Sequence, residues 1–281
     1  MITTEFLSGL DRFNLIMRKR VTSKYAGSRP SVMTGKGATI KDFRLYALGD
    51  DFRQIDWRVY ARTDNLYVKR YEEEKNLLVH ILIDASSSMN FGKPSKFDYA
   101  SMLGIGFAYI AMRSNEKFRY ATFAESLNMF QSKRGMGHLA RMVELLNTTK
   151  PEGSSDLAKS LAMYKKNMGT RSMIFIISDF LFDIENFKHA LYYLGNNDVK
   201  LIQVLDPAER NLAVEGDLKL KDSETGTVMR TYVSQKLRSD YQRQLETHIA
   251  NLKNISSLSN FSFHTVTTNT PVFDSFYRIL K

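Results

Sequence analysis

Asp84, Ser86 and Ser88 stand two residues apart at the end of an apolar run, in the stretch LLVHILIDASSSM from Leu77 to Met89. One carboxylate and two hydroxyls at that spacing offer hard oxygen donors to a single small cation. Mg²⁺ in particular takes oxygen ligands and keeps several waters. Two further loops supply the same chemistry. Ser155 lies in Gly153-Ser154-Ser155-Asp156, ahead of a helical pattern, and Asp179 follows the apolar run SMIFIIS from Ser172 to Ser178. Together they make a shell of two carboxylates and three hydroxyls for one divalent cation, Mg²⁺, Mn²⁺ or Ca²⁺, with water completing it. Neutral hydroxyls hold a cation without cancelling its charge, so it keeps affinity for a carboxylate from outside. Serine and aspartate are also the usual N-cap residues. Any one of these loops alone is more simply a helix cap; three at one end of a sheet favour a shared site.

The elements that must position these loops are legible as patterns. Leu77–Ile83 is apolar throughout except for His80, as expected of a strand buried in a parallel sheet. A chain leaving the carboxyl end of such a strand enters the crevice where open α/β sheets bind ligands. Ser172–Ser178 and Asp198–Leu205 repeat the pattern, and further strands are expected at Lys117–Phe123, Asn128–Ser132 and Phe261–Thr267. Helical spacing covers Lys96–Arg113, His138–Leu146, Gly153 to about Met168, Ile184–Leu194, Ser234–Leu258 and Val272–Leu280. Alternating strands and helices argue for an α/β fold with a mostly parallel, doubly wound sheet.

Two regions stand outside that alternation. Asp206–Ser234 reads as a late β-hairpin insertion turning at Ser223–Gly226. Ahead of the first strand, Glu5–Arg20 has the spacing of an amphipathic helix, and Tyr25–Thr39, rich in Gly, Ser and Pro, reads as a loop. A block dense in Arg, Asp and aromatics then runs from Ile40 to Asn76, with Trp57, the sole tryptophan, in its middle. Pairing of Asp50, Asp51 and Asp56 with Arg44, Arg53, Arg58 and Arg62 is electrostatically natural, so the block is expected to brace the sheet. The expected organisation is an N-terminal segment, 1–76, packed on a main domain, 77–281, with the hairpin at about 206–234.

The 281 residues suit one large domain with an appended segment, and 43% hydrophobic content is that of a globular chain. The absence of cysteine removes disulfides, thiolate catalysis and Cys-type zinc sites, and fits a reducing compartment. No secretory signal pattern opens the sequence and no run approaches the roughly 20 apolar residues of a membrane span, so a cytoplasmic protein is expected. The formal charge of +10 admits a nucleic-acid, membrane-surface or acidic protein partner. It is not gathered into one block, MRKR at 17–20 being the densest cluster.

The three loops also resemble a known set of motifs. Asp84-Ala85-Ser86-Ser87-Ser88 resembles the DxSxS motif of von Willebrand factor A domains. GSSDLAKSL, Gly153–Leu161, resembles their Gly-Gly-Thr segment with Ser155 at the threonine position, and IISD, Ile176–Asp179, resembles their third motif. The resemblance implies a von Willebrand A-like, Rossmann-like fold and a metal-ion-dependent adhesion site completed by an acidic side chain of a partner. In it Ser86 and Ser88 would coordinate through hydroxyls, and Asp84, Ser155 and Asp179 directly or through water. The block Tyr46–Trp57, followed by Ala61-Arg62-Thr63 and Tyr71-Glu72-Glu73-Glu74, and the late Asp222–Gly226 are similar to the bacterial family called domain of unknown function 58. Many members of that family carry N-terminal membrane helices, and none is expected from the sequence of these 281 residues. Its members are typically encoded beside MoxR-type AAA+ ATPases, which implies an adaptor or cofactor-like role in protein-complex assembly or maturation. Two departures bear on affinity. Ser155 lacks the methyl that stiffens a threonine rotamer, and Phe180 follows Asp179 where the wider class often has glycine.

Other activities find less support. Neither GKGATIK nor GKPSK satisfies the phosphate-loop pattern. The histidines His80, His138, His189, His248 and His264 show no metal-ligand spacing, and His80 reads as a satisfied strand histidine. Ser86 lacks a nucleophile elbow. A metal-dependent phosphoester hydrolase would need a base or second metal that the sequence does not offer. A nucleic-acid-binding module would need a basic stripe interleaved with aromatics.

Overall fold

The computed structural model of the chain describes residues 5–13, 34–72, 78–131, 133–168, 172–212, 216–221 and 227–281. They fall into two compact units, one of residues 1–15 with 77–281 and one of 16–76. The chain opens with helix α1 (residues 5–13). The rest of the helix expected to run on to Arg20 lies outside the described residues.

In the smaller unit, β1 (Thr34–Leu45) pairs antiparallel with β2 (Tyr67–Glu72). Thr34–Thr39, expected as loop, is the start of that strand; its Gly-rich composition hid a pairing made with residues some thirty positions away. Between the strands lie a 3-10 turn at Phe52–Gln54 and helix α2 (Trp57–Thr63). Ile55 bridges to Val68, and both are buried. The acidic residues of the block are satisfied locally. Arg44 donates to both oxygens of Asp50 at 2.5 and 2.6 Å. Asp51 caps the 3-10 turn, and Asp56 caps α2 while pairing with Lys69 at 3.2 Å. The expected pairing therefore holds for Arg44 alone. Arg53, Arg58 and Arg62 are exposed on the surface instead; Asp51 caps the 3-10 turn, and Asp56, which caps α2, takes Lys69 as its ion-pair partner.

In the larger unit, β3 (Leu78–Asp84) is buried over all but its first residue. It lies inside a six-stranded sheet of order β10-β7-β6-β3-β4-β5. The partners are β4 (Lys117–Phe123), β5 (Leu127–Met129), β6 (Ser172–Ser178), β7 (Asp198–Leu205) and β10 (Ser262–Thr267). Every neighbouring pair is parallel except β4 with β5. That placement explains why β3 is apolar apart from His80 up to Asp84, since both of its faces are covered.

Helix α3 (Lys96–Arg113) lies directly against it. A Cβ at Gly104 would stand 2.7 Å from Ile83 Cδ1, so glycine is what lets helix and strand approach. Phe107 stacks on Phe175 of β6 with ring centroids 3.9 Å apart. Helices α4 (Met136–Thr148) and α5 (Leu157–Tyr164) lie in succession between β5 and β6, α6 (Ile184–Tyr192) follows β6, and α7 (Pro207–Asn211) follows β7. β8 (Gly216–Lys221) and β9 (Val228–Val233) form the expected hairpin, whose turn lies outside the described residues. The long α8 (Gln235–Leu258) and the terminal α9 (Val272–Leu280) close the unit. Phe13 of α1 packs against Phe273 and Phe276 of α9. Among the described residues no helix is long and apolar enough to cross a membrane.

Candidate metal centre

The three loops singled out by their residue types meet at the carboxyl end of the sheet. β3 and β6 are adjacent and parallel, so Asp84 and Asp179 leave neighbouring strands side by side. The loop before α5 is tied in by backbone: Ser87 N donates to Gly153 O at 2.9 Å and Glu152 N to Ala85 O at 2.9 Å. Gly153 sits at φ +78°, and a Cβ there would stand 3.0 Å from the Glu125 carboxyl group, so this crossing needs glycine.

The predicted residues form one continuous hydrogen-bonded chain, from Ser155 through Asp84, Ser86 and Ser88 to Asp179. Ser155 Oγ donates to Asp84 Oδ2 at 3.0 Å. Asp84 Oδ1 accepts from Ser86 N at 2.9 Å. Ser86 Oγ and Ser88 Oγ share a hydrogen bond of 3.2 Å, and Ser88 Oγ donates to Asp179 Oδ2 at 2.7 Å. The cap explanation fails for each of them. Helix α5 is capped by Asp156 and α6 by Asp183, and Ser86 makes no side-chain cap bond. The hydroxyls point at carboxylates rather than at helix amides.

Asp84 is fully buried and takes part in no ion pair among the described residues. Burial, and then the negative charge of Asp179, push its carboxyl up to about 6, against the pull of hydrogen bonds from Ser178 and Ser86. Asp179 is matched differently. Lys96, at the first turn of α3 and wholly buried, donates to Asp179 Oδ2 at 2.9 Å and to Glu209 Oε1 at 2.7 Å. Burial works to lower the Lys96 ammonium, yet Asp179 and Glu209 together hold it above the usual lysine range. Burial raises Glu209 in turn, against the pull of Lys96. Three carboxylates and one ammonium leave this pocket with two negative charges in excess. A divalent cation among hard oxygens is what such a donor set fits.

Three participants escaped sequence reasoning. Ser178 Oγ donates to Asp84 Oδ2 at 2.6 Å and accepts from Phe180 N at 3.0 Å; by pattern it was only the end of a strand. Lys96 reads in the sequence only as the first residue of the Lys96–Arg113 helical pattern. Glu209 belongs to α7, and Asp206-Pro207-Ala208-Glu209 carries a capping-box signal that could have revealed it. The glycine-to-phenylalanine departure is also accounted for. Phe180 adopts φ +51°, its ring is buried against Phe187 and Phe263, and its carbonyl accepts from His248 Nε2 of α8 at 2.8 Å. Apolar burial thus holds a backbone conformation that glycine would adopt without strain. His80 is satisfied on one side only, Nδ1 lying 2.6 Å from Tyr164 Oη while Nε2 is buried without a partner.

The mostly parallel sheet and the three-loop crevice at its carboxyl edge define an α/β domain with a candidate site at the strand ends. The family model described as "Protein of unknown function DUF58" matches residues 42–251, and the chain belongs to that family. The uncharacterized protein Rv1480 of Mycobacterium tuberculosis is 27% identical over 252 residues, spanning 87% of this chain and 79% of that one. Among solved structures, an aerotolerance-related membrane protein from Bacteroides fragilis aligns over 73% of this chain and 96% of its own, at 16% identity and TM-score 0.46. The SpRpn10 VWA domain aligns over 72% of this chain and 94% of its own, at 11% identity and TM-score 0.46.

Proposed function

We propose that the chain is a non-enzymatic, divalent-cation-dependent protein-binding module, with residues 77–281 as the binding domain. Ser86, Ser88 and Ser155 hold Mg²⁺ or a similar cation through their hydroxyls, and Asp84 and Asp179 hold it directly or through water. A carboxylate of a partner protein completes the shell. The observation that carries this reading is the fully buried Asp84 carboxylate, which faces hydroxyls and, among the described residues, no basic side chain. Burying an unmatched charge costs several kcal/mol, on the order of the penalty for breaking a buried pair, and a bound dication would repay it. The family resemblance points to a MoxR-type AAA+ ATPase as the partner and to an adaptor role in assembling or maturing a protein complex. A hydrolytic reading is weaker, since His248, the histidine tied to the crevice backbone, already donates to Phe180 O.

The direct test is calorimetry of Mg²⁺ and Mn²⁺ binding to the wild type and to Asp84→Ala. Binding in the wild type that disappears in the variant is expected. Equal binding by both chains would overturn the proposal.

A further inference from the structure

Only one of the two carboxylates in the crevice has its charge matched by the protein. Lys96 is 0% exposed, and its ammonium contacts Asp179 Oδ2, the same oxygen that accepts from Ser88 Oγ. Its second partner, Glu209, is held in place by the α7 capping box, in which Glu209 Oε2 accepts from Asp206 N at 3.1 Å. Asp179 is held on its other sides by backbone contacts: Leu181 N donates to its Oδ1 at 3.3 Å, and its own carbonyl accepts from Gln203 Nε2 at 2.9 Å. Lys96 and Asp179 are both buried, so the charge–charge effect between them is little screened.

From this geometry we infer that Lys96 is the residue that sets how strongly the site binds its cation and how strongly the bound cation attracts an outside carboxylate. The inference rests on the metal-dependent reading above. By neutralising Asp179, Lys96 leaves Asp84 as the one uncompensated anion facing the cation. The cation is then held weakly and keeps most of its positive charge for a ligand from a partner. Glu209 tunes the effect, because it draws part of the ammonium's field away from Asp179. Lys96 is a positioning residue: it touches neither cation nor partner and works through Asp179.

The two tasks respond in opposite directions, which separates this role from mere structural support. In Lys96→Met, Asp179 regains its full charge. Mn²⁺ is expected to bind about tenfold more tightly, while the loaded site binds an added carboxylate several-fold more weakly. In Glu209→Gln, Lys96 is left to Asp179 alone. Mn²⁺ is expected to bind several-fold more weakly, with carboxylate binding kept or strengthened. Calorimetry of Mn²⁺ binding to the full chain measures the first quantity. Water-proton relaxation of the Mn²⁺-loaded chain, titrated with N-acetylglutamate, measures the second through loss of metal-bound water. Thermal melts establish that each variant is folded.

Mn²⁺ binding by the wild type that neither variant alters, or that both weaken together with carboxylate binding, overturns this inference and leaves the metal site standing. No Mn²⁺ binding by the wild type or either variant overturns both readings. Binding by Lys96→Met alone supports this one. Should Lys96→Met fail to fold, Glu209→Gln decides the matter: Mn²⁺ affinity equal to or above that of the wild type overturns the inference.

Discussion

Two aspartate-rich regions of this chain use the same residue in opposite ways. In the block from Tyr46 to Lys69, Asp50 and Asp56 are each matched by a basic side chain where they stand. Asp50 is clamped by Arg44, whose hydrogen bonds, with that of Ala47 N, hold its carboxyl down at about 2. Asp56 closes α2 and meets Lys69. In the crevice, Asp84 is surrounded by hydroxyls and displaced the other way, to about 6. Motif by motif the two look alike, each an aspartate just ahead of a turn. They differ in what stands across from the charge. A matched carboxylate shapes the chain, whereas an unmatched buried one marks a candidate site.

The contrast can be broken at several points. The largest effect is expected from acid. His80 lies mid-strand on β3, and burial, with the charge of Arg119 adding to it, brings its imidazole down to about 4. The unfolded chain therefore takes up the proton first, and stability is lost as pH falls from about 6.5 to about 4, by about 3 kcal/mol in all. Asp50 behaves oppositely: its contribution is intact above about pH 4 and lost only as pH falls towards 2. Denaturant melts of wild type and His80→Gln between pH 7 and 4 should converge as pH drops. Parallel curves would show that His80 is not held neutral.

Next in size is Asp84→Asn in chelator-treated protein. Removing an unmatched buried charge is expected to leave the fold as stable as before or to raise its stability by about 2 kcal/mol, read as an unchanged or higher urea midpoint. A lowered midpoint would mean that Asp84 is matched after all. Asp56→Ala should do the reverse and cost about 1–2 kcal/mol through the lost cap and ion pair. The fluorescence of Trp57, the first residue of α2 and the sole tryptophan, should report that loss at lower urea. The smallest change is expected from Ser155→Thr, which stiffens one hydroxyl rotamer and should tighten Mn²⁺ binding by no more than about threefold.

Much of the crevice was readable in advance because its determinants are local. The apolar runs of β3, β6 and β7 end at Asp84, Ser178 and Leu205 within a residue of where pattern placed them. α3 and α9 have the expected bounds. What pattern missed depends on distant partners. Nothing near Lys96 in sequence announces that its ammonium meets Asp179, 83 positions on, and Glu209, 113 positions on. The start of β1 was hidden for the same reason, its strand character coming from β2. The arginines of the Tyr46–Lys69 block were misassigned because charge proximity in sequence says nothing about which carboxylate a helix amide has taken.

The two backbone crossings between the Asp84 loop and the Gly153 loop carry a thermodynamic consequence. Ser87 and Gly153, like Ala85 and Glu152, are more than sixty residues apart and meet only once the sheet has formed. Asp84, Ser86 and Ser88 are local in sequence, but Ser155 and Asp179 lie far along the chain, so the unfolded chain has little hold on a cation. Whatever affinity the native crevice has is then returned in full as resistance to unfolding, by mass action: about 2.7 kcal/mol when free cation stands at a hundred times its Kd. A cell's free magnesium would in that case act on this protein as a continuous stabiliser, and its depletion would be felt as a shorter lifetime of the fold before any partner is lost.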